Sequence, residues 1–208
     1  MIKIIKEQRD DFIGWNNWFD RIYKPNLDQR WPTMKVALNL LYQMNRPVNI
    51  LETGCVRQEH DWGSGMSTLI FAEYLQRYGG RLTTIDNALA HMLVCKSVTK
   101  EYSHIIKYVV EDSLVELERM VNEDGLTIDL LYLDSMDCPL DGTSAWPSQE
   151  HALKEFKAAK PMLHSKSVVL IDDIGFENGG KGKLLNNVLE GLGWTCLLSH
   201  QQALWINR

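Results

Sequence analysis

Five short apolar runs in this chain each stop at a carboxylate, and that repeated ending constrains the fold more than any other feature. VNIL stops at Glu52, RLTTI at Asp86, IIKYVV at Glu111 and Asp112, IDLLYL at Asp134, and SVVLI at Asp172 and Asp173. Runs of this length, rich in Val, Ile and Leu, suit buried strands of a parallel sheet. Helical patterns separate them, so the chain reads as successive βαβ units. In an open sheet of that kind the carboxyl ends of the strands form one rim, and ligands bind there. A charge at the end of a buried strand must be solvated, paired or coordinated.

The first of these endings carries the most information. After Glu52 come Gly54, Cys55, Gly63 and Gly65, then Ser67 and Thr68 ahead of the apolar pattern Leu69, Ile70, Ala72, Leu75. The glycines let backbone approach a ligand closely, and the following helix presents its N-terminus to the rim. The dinucleotide pattern G-x-G-x-x-G is absent. Glu52 disfavours a phosphate nearby and suits an ammonium or hydroxyl group, reached directly or through water. Asp86, followed by Asn87, ends the second strand, where an acid can accept hydrogen bonds from ribose hydroxyls. Capping the next helix is the competing role for Asp86, and a plain N-cap is the competing role for Asp112 with Ser113.

Length and charge set the limits. A chain of 208 residues suffices for one α/β domain with a sizeable core. Its net charge of -5, with Lys and Arg scattered, gives no reason to expect a nucleic-acid partner. Four cysteines without a C-x-x-C motif read as reduced thiols in the cytoplasm, and no apolar run reaches the length of a membrane span. Residues 1–47 differ from the rest, with Phe12, Trp15 and Phe19 on a helix closed by Pro25 and a second helix from about Pro32 to Met44. This N-terminal helical segment is expected as core cover or as a substrate-facing lid, and residues 48–208 as the ligand-binding domain. A homo-oligomer stays open.

If the fourth and fifth strands are neighbours, Asp134, Asp172 and Asp173 converge above the sheet. Carboxylates so placed repel one another unless a cation or protons compensate. An oxygen cluster suits Mg2+ or a similar hard cation. The competing expectation has one acid capping a helix, one paired with a lysine, and no metal. Asp137 and His151, in the connection between these strands, are candidates for a general base. Lys181 or Lys183, in a Gly-rich turn after Asp173, could reach back to the carboxylates. The chain closes on WTCLLSHQQALWINR, which reads as a hairpin.

The stretch carrying Glu52, Gly54, Gly65, Ser67 and Thr68 resembles motif I of class I S-adenosylmethionine-dependent methyltransferases, departing from it in the inserted segment CVRQEHDWGS. Asp134, Asp172 and Asp173 are similar to the acids that hold a divalent ion in metal-dependent O-methyltransferases, including the macrocin and novobiocin type. The closing hairpin is similar to the last two strands of that fold. The resemblance implies a Rossmann-like, seven-stranded, mostly parallel sheet with an antiparallel last strand and helices on both faces. It implies S-adenosylmethionine held by Glu52, Gly54, Cys55, Gly65, Ser67, Thr68, Asp86, Asn87, Asp112, Ser113 and Asp134, with Asp112 at the adenine amino group. It further implies Mg2+ on Asp134, Asp172 and Asp173, and transfer to a small polar acceptor such as a sugar or catechol-like ring, with Asp137, His151 and Lys181 as catalytic candidates. Two other readings compete: a metal-dependent hydrolase built on the aspartates, and a catalytically silent S-adenosylmethionine-binding module.

Overall fold

A computed structural model describes residues 2–63, 66–122, 126–139 and 143–207. The apolar runs become strands that lie side by side. β1 (Val48–Thr53) is flanked by β2 (Gly80–Asp86) and β4 (Ile128–Leu133), both parallel to it. β3 (Ile106–Val110) adds outside β2, and β5 (Leu163–Ile171) outside β4, again parallel. The closing hairpin, β6 (Thr195–Ser199) and β7 (Ala203–Ile206), inserts β7 antiparallel against β5. The result is one seven-stranded sheet in the order β3-β2-β1-β4-β5-β7-β6. Every residue of β4 is buried, as a central strand covered on both faces requires.

Side chains on a strand alternate between faces, and the two halves of the core follow that period. Ile50, Leu130, Val168 and Leu204 pack with Trp15, Phe19, Met34, Leu38, Ile70 and Phe71 on one face. Their neighbours Leu51, Leu131, Val169 and Ala203 pack with Leu117, Phe156, Leu185 and Leu189 on the other. The first face is covered by α1 (Ile2–Ile22), α2 (Trp31–Gln43) and α3 (Ser67–Tyr78). α4 (Leu89–Val98) packs against β3 and β2, and α5 (Ser113–Val121), α6 (Trp146–Ala159) and α7 (Lys183–Gly191) cover the second face. Among the described residues no helix is long and apolar enough to cross a membrane.

The N-terminal helices share the main core rather than standing apart from it. Trp15 and Phe19 are fully buried within the cluster that holds Ile50 and Leu130. α1 runs from Ile2, and α2 opens with Pro32 in its first turn. Between them a short helical turn, Asp28–Arg30, delivers Arg30 to the rim of the sheet.

At that rim, backbone contacts lock three strands together. Gly54 N–H donates to Ile85 O at 2.8 Å, and Asp134 N–H donates to Thr53 O at 3.0 Å. Gly54 sits at φ +81°, and a Cβ there would lie 2.5 Å from Asp134 O. Both the φ and the clash exclude a side chain. Gly54→Ala should therefore destabilise the fold by about 2 kcal/mol or more in urea unfolding, whereas a loss below about 0.5 kcal/mol would show that the rim is slack.

Candidate active site

The rim is built on a buried carboxylate. Glu52 is wholly inaccessible and accepts hydrogen bonds from Ser67 Oγ at 2.5 Å, Thr68 Oγ1 at 2.6 Å and Thr84 Oγ1 at 2.8 Å. Burial pushes its pKa up to about 7 against those three donors. Glu52 thus ties the start of α3 and the strand β2 to the end of β1. It lines neither of the two rim cavities, so it shapes the site from beneath instead of facing a ligand. Ser67 and Thr68 are turned to the same task, and α3, with Met66 at its N-cap position, has no side-chain cap. Gly65 lies outside the described residues.

Above Glu52 opens a first cavity of ≈ 380 Å³, reached by the ends of β1, β2, β3 and β4. Gly54, Cys55, Asp86, Asn87, Asp112, Ser113 and Asp134 line it, so seven of the residues expected at a donor site come together here. Asp86 accepts from Ala88 N–H at 2.8 Å and faces His91 Nδ1 at 3.2 Å and Cys55 Sγ at 3.6 Å. Asp112 caps α5, accepting from Leu114 N–H at 2.9 Å, while also lining the cavity. Cap and ligand contact are compatible there. His151 also lines this cavity, 3.2 Å from Ser113 Oγ and 3.3 Å from Glu155 Oε1, and Glu155 raises its pKa. It lines the first cavity and not the second.

The second cavity, of ≈ 470 Å³, lies over the ends of β4 and β5 and is lined by Arg30, Arg57, Asp61, Asp134, Asp137, Cys138, Asp173 and Phe176. The two cavities share Arg57, Asp134 and Asp137. Arg57 Nη1 and Nη2 hold the Asp137 carboxylate at 2.7 and 3.1 Å, and this contact lowers the Asp137 pKa. A carboxylate so held is a weaker base than the sequence led one to expect.

Asp134, Asp172 and Asp173 converge as the strand order requires, but protein cations already occupy them. Arg30 Nε donates to Asp172 Oδ1 at 2.8 Å and Oδ2 at 3.1 Å, and Arg30 Nη2 donates to Asp173 Oδ1 at 2.8 Å. Lys181 Nζ lies 2.7 Å from Asp134 Oδ1 and 3.2 Å from Asp173 Oδ2. Tyr132 Oη donates to Asp172 Oδ2 at 2.6 Å. Burial works against the charge on Arg30 and Lys181, yet the surrounding carboxylates outweigh it and hold both cations well above their ordinary range. Burial raises the Asp134 pKa against Lys181. For Asp172 burial pushes upward too, but Arg30 and Lys181 prevail and the net shift is down.

Hence the expected Mg2+ site does not fit this arrangement. Among the described residues no group of three or more His, Cys, Asp or Glu side chains is placed to hold a metal ion. Lys181, expected as a catalytic group or salt-bridge partner, is the latter and is sealed from solvent. No sequence signal pointed to Arg30, which lies 142 residues from Asp172, or to Arg57 in the inserted loop. Tyr132 had a usable signal: a phenol inside an otherwise aliphatic buried strand needs a hydrogen-bond partner.

A family model described as a methyltransferase domain matches residues 61–174. No curated protein matches the chain. Solved structures similar to it include the O-methyltransferase TomG from Streptomyces achromogenes, in complex with SAM, at 15% identity, 85% coverage of this chain, 79% of that one, and a TM-score of 0.56. An O-methyltransferase from Bacillus cereus, in complex with SAH, is 14% identical over 82% of this chain and 79% of that chain, with a TM-score of 0.54. The MycE methyltransferase of the mycinamycin pathway, in complex with Mg, SAH and mycinamycin VI, is 15% identical over 85% of this chain and 49% of that chain, with a TM-score of 0.58. At these identities the likeness speaks to the fold.

The buried Glu52 yields a pH signature. Its pKa of about 7 in the fold exceeds the ordinary 4.5, so its contribution is fully present below pH 4.5 and is lost as pH rises through 7. Glu52→Gln, which cannot ionise, should gain on the wild type by up to about 3 kcal/mol between those limits in urea unfolding followed against pH. A stability difference independent of pH would contradict the assignment.

Proposed function

Because the chain belongs to the methyltransferase-domain family, we propose that it moves a methyl group from S-adenosylmethionine to a hydroxyl oxygen of a small polar acceptor, such as a sugar or a catechol-like ring. The observation that carries this reading is the meeting of the two rim cavities at Asp134, Arg57 and Asp137. One cavity suits the donor, the other the acceptor, and the shared residues stand where the two reactants would face each other. When bound, S-adenosylmethionine supplies an electrophilic methyl group on a positively charged sulfur.

Each rim residue then has a task. Asp86 accepts hydrogen bonds from the ribose hydroxyls, and Asp112 lies at the adenine end of the same cavity. Gly54, lacking a Cβ, leaves the backbone free to approach the ligand. Asp134 takes the proton of the acceptor hydroxyl. It is the least committed acid of its cluster, since Oδ2 has only the Tyr132 hydroxyl at 3.4 Å, and its raised pKa makes it a stronger base than an ordinary carboxylate. Arg30 lines the acceptor cavity and offers a guanidinium to an electron-rich oxygen. Most of the rate would come from holding the two reactants in line.

Calorimetric titration with S-adenosylhomocysteine tests the donor half. The wild type should bind one equivalent, and Asp86→Ala should bind roughly tenfold more weakly or worse. Asp134→Asn should keep donor binding while losing transfer to hydroxylated acceptors by about a hundredfold or more. A folded protein that fails to bind S-adenosylhomocysteine would overturn the reading.

A further inference from the structure

We propose that Lys181 and Arg30 are the resident cations of the carboxylate cluster, occupying the place of a divalent ion, so that this site works without one. The inference concerns the same site as the methyltransferase reading and rests on it for the acceptor side, but the claim about cations stands on the cluster's own geometry.

Lys181 is not a surface lysine that happens to fold inward. Its side chain is almost wholly buried, and the backbone on both sides of it is fitted to that position. Gly180 has φ +49°, and a Cβ there would lie 1.7 Å from Asp173 O, so the loop packs directly on the backbone of Asp173. Lys181 N–H donates to that same oxygen at 3.2 Å. A Cβ on Gly182 would lie 2.4 Å from Ile174 Cγ2. The two glycines let the loop pack onto the end of β5, and Lys181, between them, points at the acids. Burying an ammonium is unfavourable unless carboxylates meet it. Here two do, Asp134 and Asp173.

The oxygen inventory explains why a divalent ion has no opening. Asp172 Oδ1 accepts from Arg30 and from Asp173 N–H, and Oδ2 from Arg30 and Tyr132. Asp173 Oδ1 accepts from Arg30 and from Gln201 Nε2, and Oδ2 faces Lys181. Asp134 Oδ1 faces Lys181, and among the described residues Oδ2 has the Tyr132 hydroxyl at 3.4 Å as its contact, the longest of the contacts to these six oxygens. An Mg2+ ion asks for near-octahedral oxygen ligands at about 2.1 Å, so it would have to displace Arg30 or Lys181 from several of these oxygens at once. It would also enter beside two fixed positive charges. The division of labour follows from exposure: Arg30 lines the acceptor cavity, whereas Lys181 lies beneath it and acts through Asp134 and Asp173 as a positioning residue.

The test is a titration of the full chain with Mn2+, read by the electron paramagnetic resonance signal of the free ion. The wild type should leave Mn2+ free to about 1 mM, and Lys181→Ala, which empties the ammonium's place, should bind one Mn2+ at least roughly tenfold more tightly. One tightly held Mn2+ in the wild type, released by Asp173→Asn, would overturn the proposal, as would a folded Lys181→Ala with no gain in Mn2+ affinity. Should Lys181→Ala not fold, the wild-type melting temperature decides: it should be the same in Mg2+ and in EDTA, and a clear rise in Mg2+ would overturn the proposal. Failure of S-adenosylhomocysteine to bind would instead count against the methyltransferase reading and leave these metal readouts intact.

Discussion

Charge compensation at the ends of β4 and β5 is the constraint on which the rest of the rim depends. Asp134, Asp172 and Asp173 are brought together by strand order, and two of their backbone groups are tied to neighbouring strands. Without positive charge between them they would repel one another in a poorly solvated place. Arg30 and Lys181 supply it, one from the turn between α1 and α2 and the other from the loop after β5. Three acids against two bases leave the cluster one negative charge in excess. Asp134, at the boundary of the two cavities, is the acid most ready to discharge that excess by taking up a proton, because burial raises its pKa whereas that of Asp172 is lowered.

This arrangement also ties the N-terminal helices to the chemistry. Trp15, Phe19, Met34 and Leu38 bury α1 and α2 against the sheet, and that packing fixes the turn carrying Arg30. Substitutions far from the rim that loosen this aromatic core would therefore be felt at Asp172. At the first cavity the corresponding anchor is Glu52, whose three hydroxyl partners hold α3 and β2 in register with the end of β1. Glu52 and Asp172 are buried carboxylates with both oxygens partnered, the condition under which such groups specify one arrangement rather than weaken it.

Much of this was legible in the sequence because it is local. The apolar runs ending in acids gave the strands, their common rim and the convergence of Asp134, Asp172 and Asp173, and the closing hairpin gave the antiparallel edge. What stayed hidden is what depends on long-range partners. Arg30 lies in a segment whose pattern announces only helices, and nothing in its neighbourhood names an acid 142 residues away. Glu52 could be placed at a strand end but not given a direction, because periodicity does not say whether a terminal side chain turns up to a ligand or down to the hydroxyls of Ser67 and Thr68. The convergence of the carboxylate trio was legible, but which cation meets it was left open between a metal ion and a lysine, since a lysine between two glycines looks like an ordinary turn until the backbone contact of Gly180 with Asp173 is seen.

The most direct test of the central claim is a crystal structure of the protein grown with S-adenosylhomocysteine and Mg2+. The ribose hydroxyls should lie on Asp86 and the thioether should point toward Asp134, with Lys181 still bridging Asp134 and Asp173. Ligand bound away from the first cavity, or a Mg2+ ion seated among the three aspartates with Lys181 displaced, would contradict it.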